Sequence, residues 1–269
     1  MRIVALISLV IIALFFAGVS HATIDPATIC GLWLFDDDED DLAIDSSGKG
    51  NDGTFMGNPE FVVGKFGKAL ELNGTSAVSI PDSDSLDMGD LITIMFWVRT
   101  EKTMVDMWED RQVVVSKSAR EYDIGIYPQG QLHTYTSDGA GDLNEGIMTS
   151  MAGKLPDKDA DWEKGKWYHV AWTLNLRHEI AYVNGINIGE YDKANEGTIA
   201  GTNSLSIGQR GTGLRLTGAV DEVILLNEVL EIDDIQIAAD EGLEVALGMV
   251  AVSAADKLAT TWAAVKSRL

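Results

Sequence analysis

The stretch KWYHVAWTLNLRHEIAYVNGINI, from Lys166 to Ile188, decides the fold class of the chain. Two runs rich in valine, isoleucine and aromatic residues precede the pair Asn184-Gly185, and a third apolar run follows it. Such runs are typical of strands. Asparagine followed by glycine between apolar runs favours a type I′ turn, because both residues tolerate positive φ angles. The stretch therefore predicts antiparallel strands that are joined by a tight hairpin.

The same strand pattern continues from Cys30 to Val229. Short apolar runs recur between turns rich in glycine, asparagine and aspartate, and none of them has the period of a helix. The other clear strands are Leu91–Arg99, Gln112–Ser116, Tyr122–Tyr127, Gln131–Tyr135, Ser204–Gly208 and Leu216–Leu226. Many short strands at this spacing predict an all-β fold, either a β-sandwich or a jelly roll.

The pattern changes after Val229, where the sequence predicts a helical C-terminal extension over residues 230–269. Glu231 to Leu243 has apolar residues at helical spacing, and Ser253 precedes a second amphipathic pattern that ends in a basic last turn. A short helix needs a surface to pack on. Two interpretations stay open, since the extension could pack on the sandwich or bind a partner.

Residues 1–22 have the three parts of a secretory signal peptide. Arg2 gives the positive start, an almost unbroken apolar run follows, and Ser20–Ala22 fits a cleavage site with small residues. The apolar run is short for a membrane span, and an uncleaved anchor is the alternative. The sequence predicts a mature chain that begins at Thr23 and is secreted or lies at the cell surface or in the periplasm.

The chain is strongly acidic, with 20 basic and 42 acidic residues and a formal net charge of −22. Such a chain repels nucleic acid and anionic lipid and attracts divalent cations. Cys30 is the only cysteine, which excludes an intrachain disulfide. An exported domain without a disulfide needs a large core or a metal ion to hold its ends together.

The loop DSSGKGNDGTF, from Asp45 to Phe55, contains the pattern G-x-G-x-x-G of dinucleotide-binding proteins. That function needs a helix after the glycines, but a turn signal, Gly57–Pro59, follows them. The acidic run Asp36–Asp41 precedes the loop and would repel a phosphate. A nucleotide site is therefore excluded.

The acidic run Asp36–Asp41 also fails as an EF-hand, because Asp41 and Ser47 stand where glycine and glutamate are required. We interpret it as a solvated loop or an accessory cation site. Asp45 and Asn51 in the next loop offer oxygen atoms, and the glycines let backbone carbonyls turn inward, which suits calcium. The alternative is that Asp45 only bonds its own turn.

A series of blocks follows one order along the chain: Gly31–Phe35, Asp45–Gly48, Asn51–Gly53, Phe66–Gly74, Ile92–Val98, Lys166–Ala171, Tyr182–Gly185 and Gly218–Val223. In their order and spacing they resemble a LamG-like jelly-roll domain of the concanavalin A-like lectin/glucanase superfamily. The resemblance implies a concanavalin A-like jelly-roll β-sandwich over residues 23–229. It departs from many animal members of the family in lacking a disulfide late in the domain.

The resemblance also implies a structural calcium ion that joins the first loop of the domain to its last strand. The ligands that it implies are Asp45, the carbonyl of Gly48, Asn51 and Asp221. Asp221 stands on a predicted strand, where an inward-facing acid is costly unless it is paired or bound to a metal.

The superfamily includes glycosidases that carry Glu-x-Asp-x-x-Glu on one strand. Here Glu121 and Asp123 match the first two acids, but Ile126 stands at the third. Catalysis by two carboxylates then has no second partner. His133 and His169 lack the spacing of metal ligands, and we interpret them as ordinary histidines of the sandwich. The sequence therefore predicts that the protein is not an enzyme.

A ligand would contact aromatic residues on a sheet face or a loop rim. Trp108, Tyr122 and Trp162 are the chosen candidates, and Tyr127 and Tyr135 are further ones. The two tryptophans stand among charged residues, where burial is less expected. The alternative for each residue is packing in the core of the sandwich.

These observations predict an exported, non-catalytic binding or adhesion module whose partner is a glycan or an extracellular protein. One alternative is an enzyme related to glycoside hydrolases with divergent catalytic residues. Another is a structural module that docks through its C-terminal helix. No nucleic acid is expected as a partner, and a membrane is not expected after signal cleavage. The oligomeric state is left open.

Overall fold

The computed structural model describes residues 24–37, 42–102, 111–118, 121–127, 130–137, 143–150, 154–155, 162–194, 196–211 and 213–249. The predicted signal peptide, Trp108 and the helix predicted after Ser253 lie outside these residues. Within them, no helix is both long and apolar enough to cross a membrane.

Sixteen strands and two α-helices build the described chain. The strands are β1 (Ile29–Trp33), β2 (Leu42–Ala43), β3 (Gly53–Met56), β4 (Glu60–Val63), β5 (Lys68–Asn73), β6 (Ala77–Ile80), β7 (Leu91–Thr100), β8 (Gln112–Ser116), β9 (Tyr122–Tyr127), β10 (Gln131–Ser137), β11 (Leu143–Ser150), β12 (Trp167–Asn175), β13 (His178–Val183), β14 (Ile186–Asp192), β15 (Leu205–Ile207) and β16 (Thr217–Leu226). The helices are α1 (Ile232–Glu241) and α2 (Leu243–Ala246).

The strands form two antiparallel sheets of eight strands each. Sheet I has the order β14-β13-β12-β7-β16-β5-β4, and β1 pairs with β16 beside this path. Sheet II has the order β11-β10-β9-β8-β15-β6-β3-β2. Consecutive strands are often not neighbours, because the chain crosses between the sheets. This arrangement confirms the predicted jelly-roll β-sandwich.

The hairpin of the quoted stretch is confirmed in detail. Asn184 and Gly185 have φ angles of 50° and 71°, as a type I′ turn requires. The strands on either side pair directly, with Val183 opposite Ile186. Strand β12 then continues sheet I by pairing with β7 along nine residue pairs, from Trp167 opposite Arg99 onward. The local turn signal therefore sets the register of one edge of sheet I.

The main core lies between the sheets. Side chains alternate along each strand, so one face of each sheet points inward. The inward face contributes the large buried residues Trp33, Phe96, Ile124, Leu132 and Trp172. A core of this size supports the domain without a disulfide.

A second apolar cluster covers the outer face of sheet I. Met95 and Ile224 of the sheet contact this cluster, together with Ile235 of α1 and Leu243 of α2. The helix predicted over Glu231–Leu243 is divided at Gly242, whose φ angle is 90°. For this described part of the extension, packing on the sandwich is the observed arrangement.

Candidate functional site

The loop predicted to bind calcium is held to β1 by hydrogen bonds. The Oδ1 atom of Asp45 accepts from the N–H of Leu32 at 3.0 Å and from the N–H of Ser47 at 2.9 Å. Its Oδ2 atom accepts from the N–H of Asn51 at 2.8 Å. The bond to Ser47 spans two residues and forms an Asx turn, which is the alternative stated for Asp45. Three N–H donors thus satisfy this carboxylate inside the protein.

Asn51 ties the same loop to two other segments. Its Nδ2 atom donates to the carbonyl of Cys30 and to the Oγ of Ser85, both at 2.8 Å. Its main-chain carbonyl accepts from the indole N–H of Trp33 at 3.1 Å. Gly48 is exposed and has a φ angle of +80°. The three predicted loop ligands therefore lie in one short segment that several hydrogen bonds hold in place.

Asp221, the fourth predicted ligand, is fully buried at a β-bulge of β16. Its Oδ2 atom accepts from the N–H groups of Lys65 at 2.8 Å and of Phe66 at 3.0 Å. In the described chain no hydrogen bond or ion pair joins Asp221 to the 45–51 loop. In the described chain the two carboxylates thus bond different segments, and the predicted ligand set of Asp45, Gly48, Asn51 and Asp221 stays a prediction. Calcium binding itself stays a prediction.

Glu222, beside Asp221 in the bulge, holds α2. Its backbone has a φ angle of 47°, and its two carboxylate oxygens accept from the N–H of Leu243, each at 3.1 Å. Burial raises the pKa of Glu222 to about 8, and the charges of Asp221 and Asp36 add to the shift. Burial likewise raises the pKa of Asp221 to about 7. These two carboxyl groups fasten a turn and a helix to the outer face of sheet I.

The structure buries two of the three residues chosen as ligand contacts. Tyr122 belongs to the main core and donates its hydroxyl to the carbonyl of Leu86 at 3.0 Å. Trp162 also belongs to the core, and its indole N–H donates to the carbonyl of Gly130 at 2.7 Å. Their interpretation as exposed contacts is corrected to packing, because their polar atoms bond carbonyls inside the protein. Trp108 lies outside the described residues.

Glu121 and Asp123, which match part of the glycosidase motif, serve separate clusters. Glu121 is buried and pairs with the ammonium of Lys117 at 2.7 Å. Asp82 and Asp87 pair with the same ammonium, so Lys117 joins three segments of the chain. Asp123 instead pairs with the guanidinium of Arg210 at 3.4 Å. The two acids therefore pair with different cations, Glu121 with Lys117 and Asp123 with Arg210.

A polar and aromatic group of residues lies on the outer face of sheet II. Tyr122, Ile124 and Leu132 point into the core, so the alternating residues of β9 and β10 point outward. We call the outward group the tyrosine–arginine cluster, and its members are Asp123, Tyr127, His133, Tyr135, Arg111 and Arg210.

The rings of the tyrosine–arginine cluster contact one another closely. His133 lies between the two tyrosines, with ring centroids 4.6 Å from Tyr127 and 4.3 Å from Tyr135. The guanidinium of Arg111 lies 5.5 Å from the ring of Tyr127, and that of Arg210 lies 5.0 Å from the ring of Tyr135. Each arginine is therefore held by a cation–π contact.

The buried polar atoms of this cluster are not all satisfied. Burial raises the pKa of Asp123 to about 6, against the opposing effect of Arg210. Burial, with the two arginine charges, lowers the pKa of His133 to about 4. Ser116 stands opposite Asp123 and also opposes this rise in pKa through a side-chain hydrogen bond. Within the described residues, both ring nitrogens of His133 have no hydrogen-bond partner. His133 is buried, as expected of a sandwich histidine, but it lacks the polar partners that such a residue normally has.

The sequence analysis named Tyr127 and Tyr135 as candidate contacts, but it did not predict that they form one cluster with the other members. The alternation of β9 and β10 carries a signal, since it places Asp123 and Tyr135 on one face. Pairing of the two strands then puts Tyr135 directly opposite Asp123. Arg210 comes from a distant part of the chain, and no local pattern indicates its position.

Two packed antiparallel sheets in this strand order define a jelly-roll β-sandwich. The family model Laminin_G_3, described as Concanavalin A-like lectin/glucanases superfamily, matches residues 72–236, more than half of the chain. The chain therefore belongs to this family, which confirms the resemblance stated from the sequence. The search of the curated proteins found no match to the chain.

Solved structures share the fold at low sequence identity. Domain 4 of AbnA, an extracellular arabinanase from Geobacillus stearothermophilus solved with arabinotriose, is 19% identical with a TM-score of 0.61, over 79% of this chain and 98% of that one. The binding domain of Paraclostridial Mosquitocidal Protein 1 is 18% identical with a TM-score of 0.65, over 80% of this chain and 52% of that one. The binding domain of botulinum neurotoxin DC, solved with rat synaptotagmin II, is 14% identical with a TM-score of 0.60, over 80% and 52%. The chain thus spans about half of each toxin domain, and these likenesses show the fold alone.

Proposed function

We propose that the protein is an exported, non-catalytic binding module that recognises a glycan through the outer face of sheet II. The observation that carries this proposal is the tyrosine–arginine cluster, with the unpartnered ring nitrogens of His133 among the described residues. Buried polar groups without partners cost stability. Such groups beside aromatic rings favour a ligand-binding face, because a ligand can supply the missing hydrogen bonds.

The chemistry of the cluster suits a polar ligand with apolar surfaces. Tyr127, His133 and Tyr135 are buried and pack on one another, so the cluster meets solvent through the half-buried Arg111 and Arg210. Arginine offers several donors in a rigid plane and is enriched among the residues that dominate binding energies. A sugar presents hydroxyl groups that these donors can bind, and the buried rings hold the two arginines in place.

Absence of catalysis is part of the proposal, and the pairing of the acids supports it. Glycoside hydrolysis uses two carboxyl groups that flank the scissile bond. Lys117 holds Glu121, whereas Arg210 holds Asp123. The sugar-bound arabinanase domain and the toxin binding domains share the fold with this chain, which is consistent with a binding role. Export rests on the signal pattern of residues 1–22.

The proposal is tested by a glycan array with the mature chain, followed by calorimetry on the glycans that bind. We expect Arg210→Ala and Tyr135→Phe to weaken binding, by about tenfold or more for the arginine. Arg177→Ala is the matched control, because Arg177 also forms a surface ion pair, with Glu196 at 3.1 Å. Thermal melts of each variant establish that it is folded.

Two outcomes would overturn the glycan proposal. One is a folded protein that binds nothing on a broad array. The other is glycan binding that Arg210→Ala and Arg177→Ala weaken equally. Release of reducing sugar from a bound glycan, lost in Glu121→Gln, would instead support the enzyme alternative.

A further inference from the structure

A cavity of about 180 Å³ lies beside the end of β1 and takes no part in the function proposed above. Its walls come from residues 34–37, from residues 42–46, from Phe61 of β4 and from Glu244 of α2. All of these residues lie outside the range 72–236 that the family model matches. The family alone therefore gives no account of the cavity.

The lining divides into an apolar base and an acidic mouth. Phe35 and Ala43 are buried, and Phe61 is half-buried. Leu34, Leu42 and Ile44 complete the apolar part of the lining. The carboxylates are those of Asp36, Asp37 and Glu244, and all three residues are exposed. None of the described lining residues is basic.

One of the carboxylates is held in place by the backbone. Asp36 Oδ1 accepts from the N–H of Lys68 at 2.7 Å. Gly67 permits this contact, because its φ angle is +52° and a side chain there would collide with the Asp36 carboxylate. Asp36 also begins the acidic run that the proposed glycan site does not use. The acidic side of the mouth is therefore ordered as well as charged.

The lining selects one class of ligand. Calcium takes six to eight oxygen ligands, and apolar walls supply none. An anion would be repelled by three carboxylates in a chain whose net charge is −22. A neutral apolar molecule would leave the carboxylates unused. A cation with an apolar body matches both parts, since aromatic rings attract a nearby ammonium and carboxylates pair with it.

The size of the cavity limits that ligand to a small group. Drug-sized pockets enclose roughly 300–1,000 Å³. A cavity of about 150 Å³ in another protein holds benzene. A volume of about 180 Å³ thus suits a benzyl or butyl chain that carries one ammonium.

We propose that this cavity binds a primary ammonium group with a small apolar body, from a free amine or from the lysine side chain of a partner. The apolar body occupies the base between Phe35 and Phe61. The ammonium group lies at the mouth and pairs there with Asp37 or Glu244, since the three carboxylates of the lining do not converge on one point among the described residues. Both sources share the same chemistry.

The test is calorimetry at pH 7 and low salt with three probes: benzylamine, benzyl alcohol and methylamine. We expect benzylamine to bind at least about tenfold more tightly than either of the others, because only benzylamine satisfies both the base and the mouth. Raising the salt from about 50 to about 500 mM should weaken benzylamine several-fold, because the exposed ion pairs are screened. Nα-acetyl-lysine amide as a fourth probe distinguishes the sources, since tighter binding than benzylamine assigns the cavity to a partner lysine.

Variants locate the binding. Asp37→Asn with Glu244→Gln should weaken benzylamine about three- to tenfold, because both exposed ion-pair partners are lost. Asp240→Asn, an exposed acid of α1 that does not line the cavity, is the matched control and should change nothing. Phe61→Leu should weaken benzylamine and leave methylamine unchanged. A thermal melt establishes folding, because Phe61 also packs on Phe55 at 5.9 Å.

Three results would overturn the proposal. Equal binding of benzyl alcohol and benzylamine would show an apolar cavity without a charge requirement. Displacement of benzylamine by calcium chloride, with no effect of Phe61→Leu, would show an acidic cluster that takes any cation. No binding of benzylamine to the folded wild-type chain would remove the site altogether.

Discussion

The outer faces of the two sheets differ in what covers them. On sheet I, apolar residues such as Met95 and Ile224 meet Ile235 of α1 and Leu243 of α2, and a second hydrophobic cluster forms. On sheet II, the outward residues of β9 and β10 form the tyrosine–arginine cluster, which α1 and α2 do not cover. Buried polar atoms without partners occur on both outer faces of the described chain, at His133 on sheet II and at Trp97, His169 and Asp221 on sheet I. One face is covered by helices, and the other meets solvent through the half-buried Arg111 and Arg210.

The difference separates stability from function. Burial of apolar area contributes about 25 cal/mol per Å², so the cover of sheet I stabilises the domain. An unpartnered buried polar group costs about 1–3 kcal/mol, and both faces carry such groups among the described residues. The outer face of sheet II has no comparable apolar cover in the described chain, so it is the better candidate for binding. The four predictions below test this contrast, and they run from the largest expected effect to the smallest.

Shortening a side chain in the cover of sheet I should have the largest effect. Ile235→Ala is expected to lower the free energy of unfolding by about 2–5 kcal/mol, because it removes buried methyl groups and leaves a cavity. Met148→Ala is the comparison on sheet II, where Met148 is 53% exposed, and should stay within about 0.5 kcal/mol. Urea denaturation measures both. Equal losses would contradict the contrast between the faces.

Acid should destabilise the protein through His133. Its pKa is lowered to about 4 from an ordinary 6.5, so its stabilising contribution is complete above pH 6.5 and is lost as the pH falls toward 4. His133→Phe should flatten this part of the stability curve, by up to about 1.4 kcal/mol per pH unit. His178 is half-buried and pairs with Asp192 at 2.8 Å, so His178→Phe is the comparison with a paired histidine and should leave the loss of stability toward pH 4 in place. Urea denaturation at a series of pH values measures the slope, and an unchanged slope in His133→Phe would contradict the prediction.

Removing Asp221 should loosen the edge of the covered face. Asp221→Ala is expected to lower the free energy of unfolding by about 1–3 kcal/mol, because the N–H groups of Lys65 and Phe66 lose their acceptor. Asp240→Ala, an exposed acid on α1, is the control. The calcium prediction adds that EGTA lowers the melting temperature of the wild type and not that of Asp221→Ala. If EGTA leaves the melting temperature of the wild type unchanged, the calcium prediction is wrong.

Neutralising Glu222 should have the smallest effect. Its pKa is raised to about 8 from an ordinary 4.5, so the folded state favours the protonated form, and this contribution is lost as the pH rises through 8. Glu222→Gln resembles the protonated form and should stabilise the protein at pH 9. We expect a gain of about 1 kcal/mol, smaller than the pKa shift alone would give, because the amide offers Leu243 one acceptor oxygen where the carboxylate offers two. At pH 5 the two proteins should melt alike. A variant that is less stable than the wild type at pH 9 would show that the charged form is the one that holds α2.

Most of the fold could be predicted because its signals are local. The Asn184-Gly185 turn and the period of two along β9 and β12 depend only on neighbouring residues. Strand β11 was not predicted, because the stretch Leu143–Ser150 mixes polar residues, glycine and apolar residues without clear alternation. The site was predicted less well. Tyr122 and Trp162 stand beside charges in sequence, but their side chains pack inward.

By itself, the sequence determined the β-sandwich, the hairpin register and the family, since side-chain alternation and turn chemistry act over a few residues. Only the tertiary structure decided which partner each polar group has. In the structure, Asp45 accepts hydrogen bonds within its own loop and Asp221 accepts them from the turn at residues 64–67. Asp123 pairs with Arg210, which lies 87 residues away. The physical reason is that the order of strands in the sheets brings distant segments together, and no local period encodes that order.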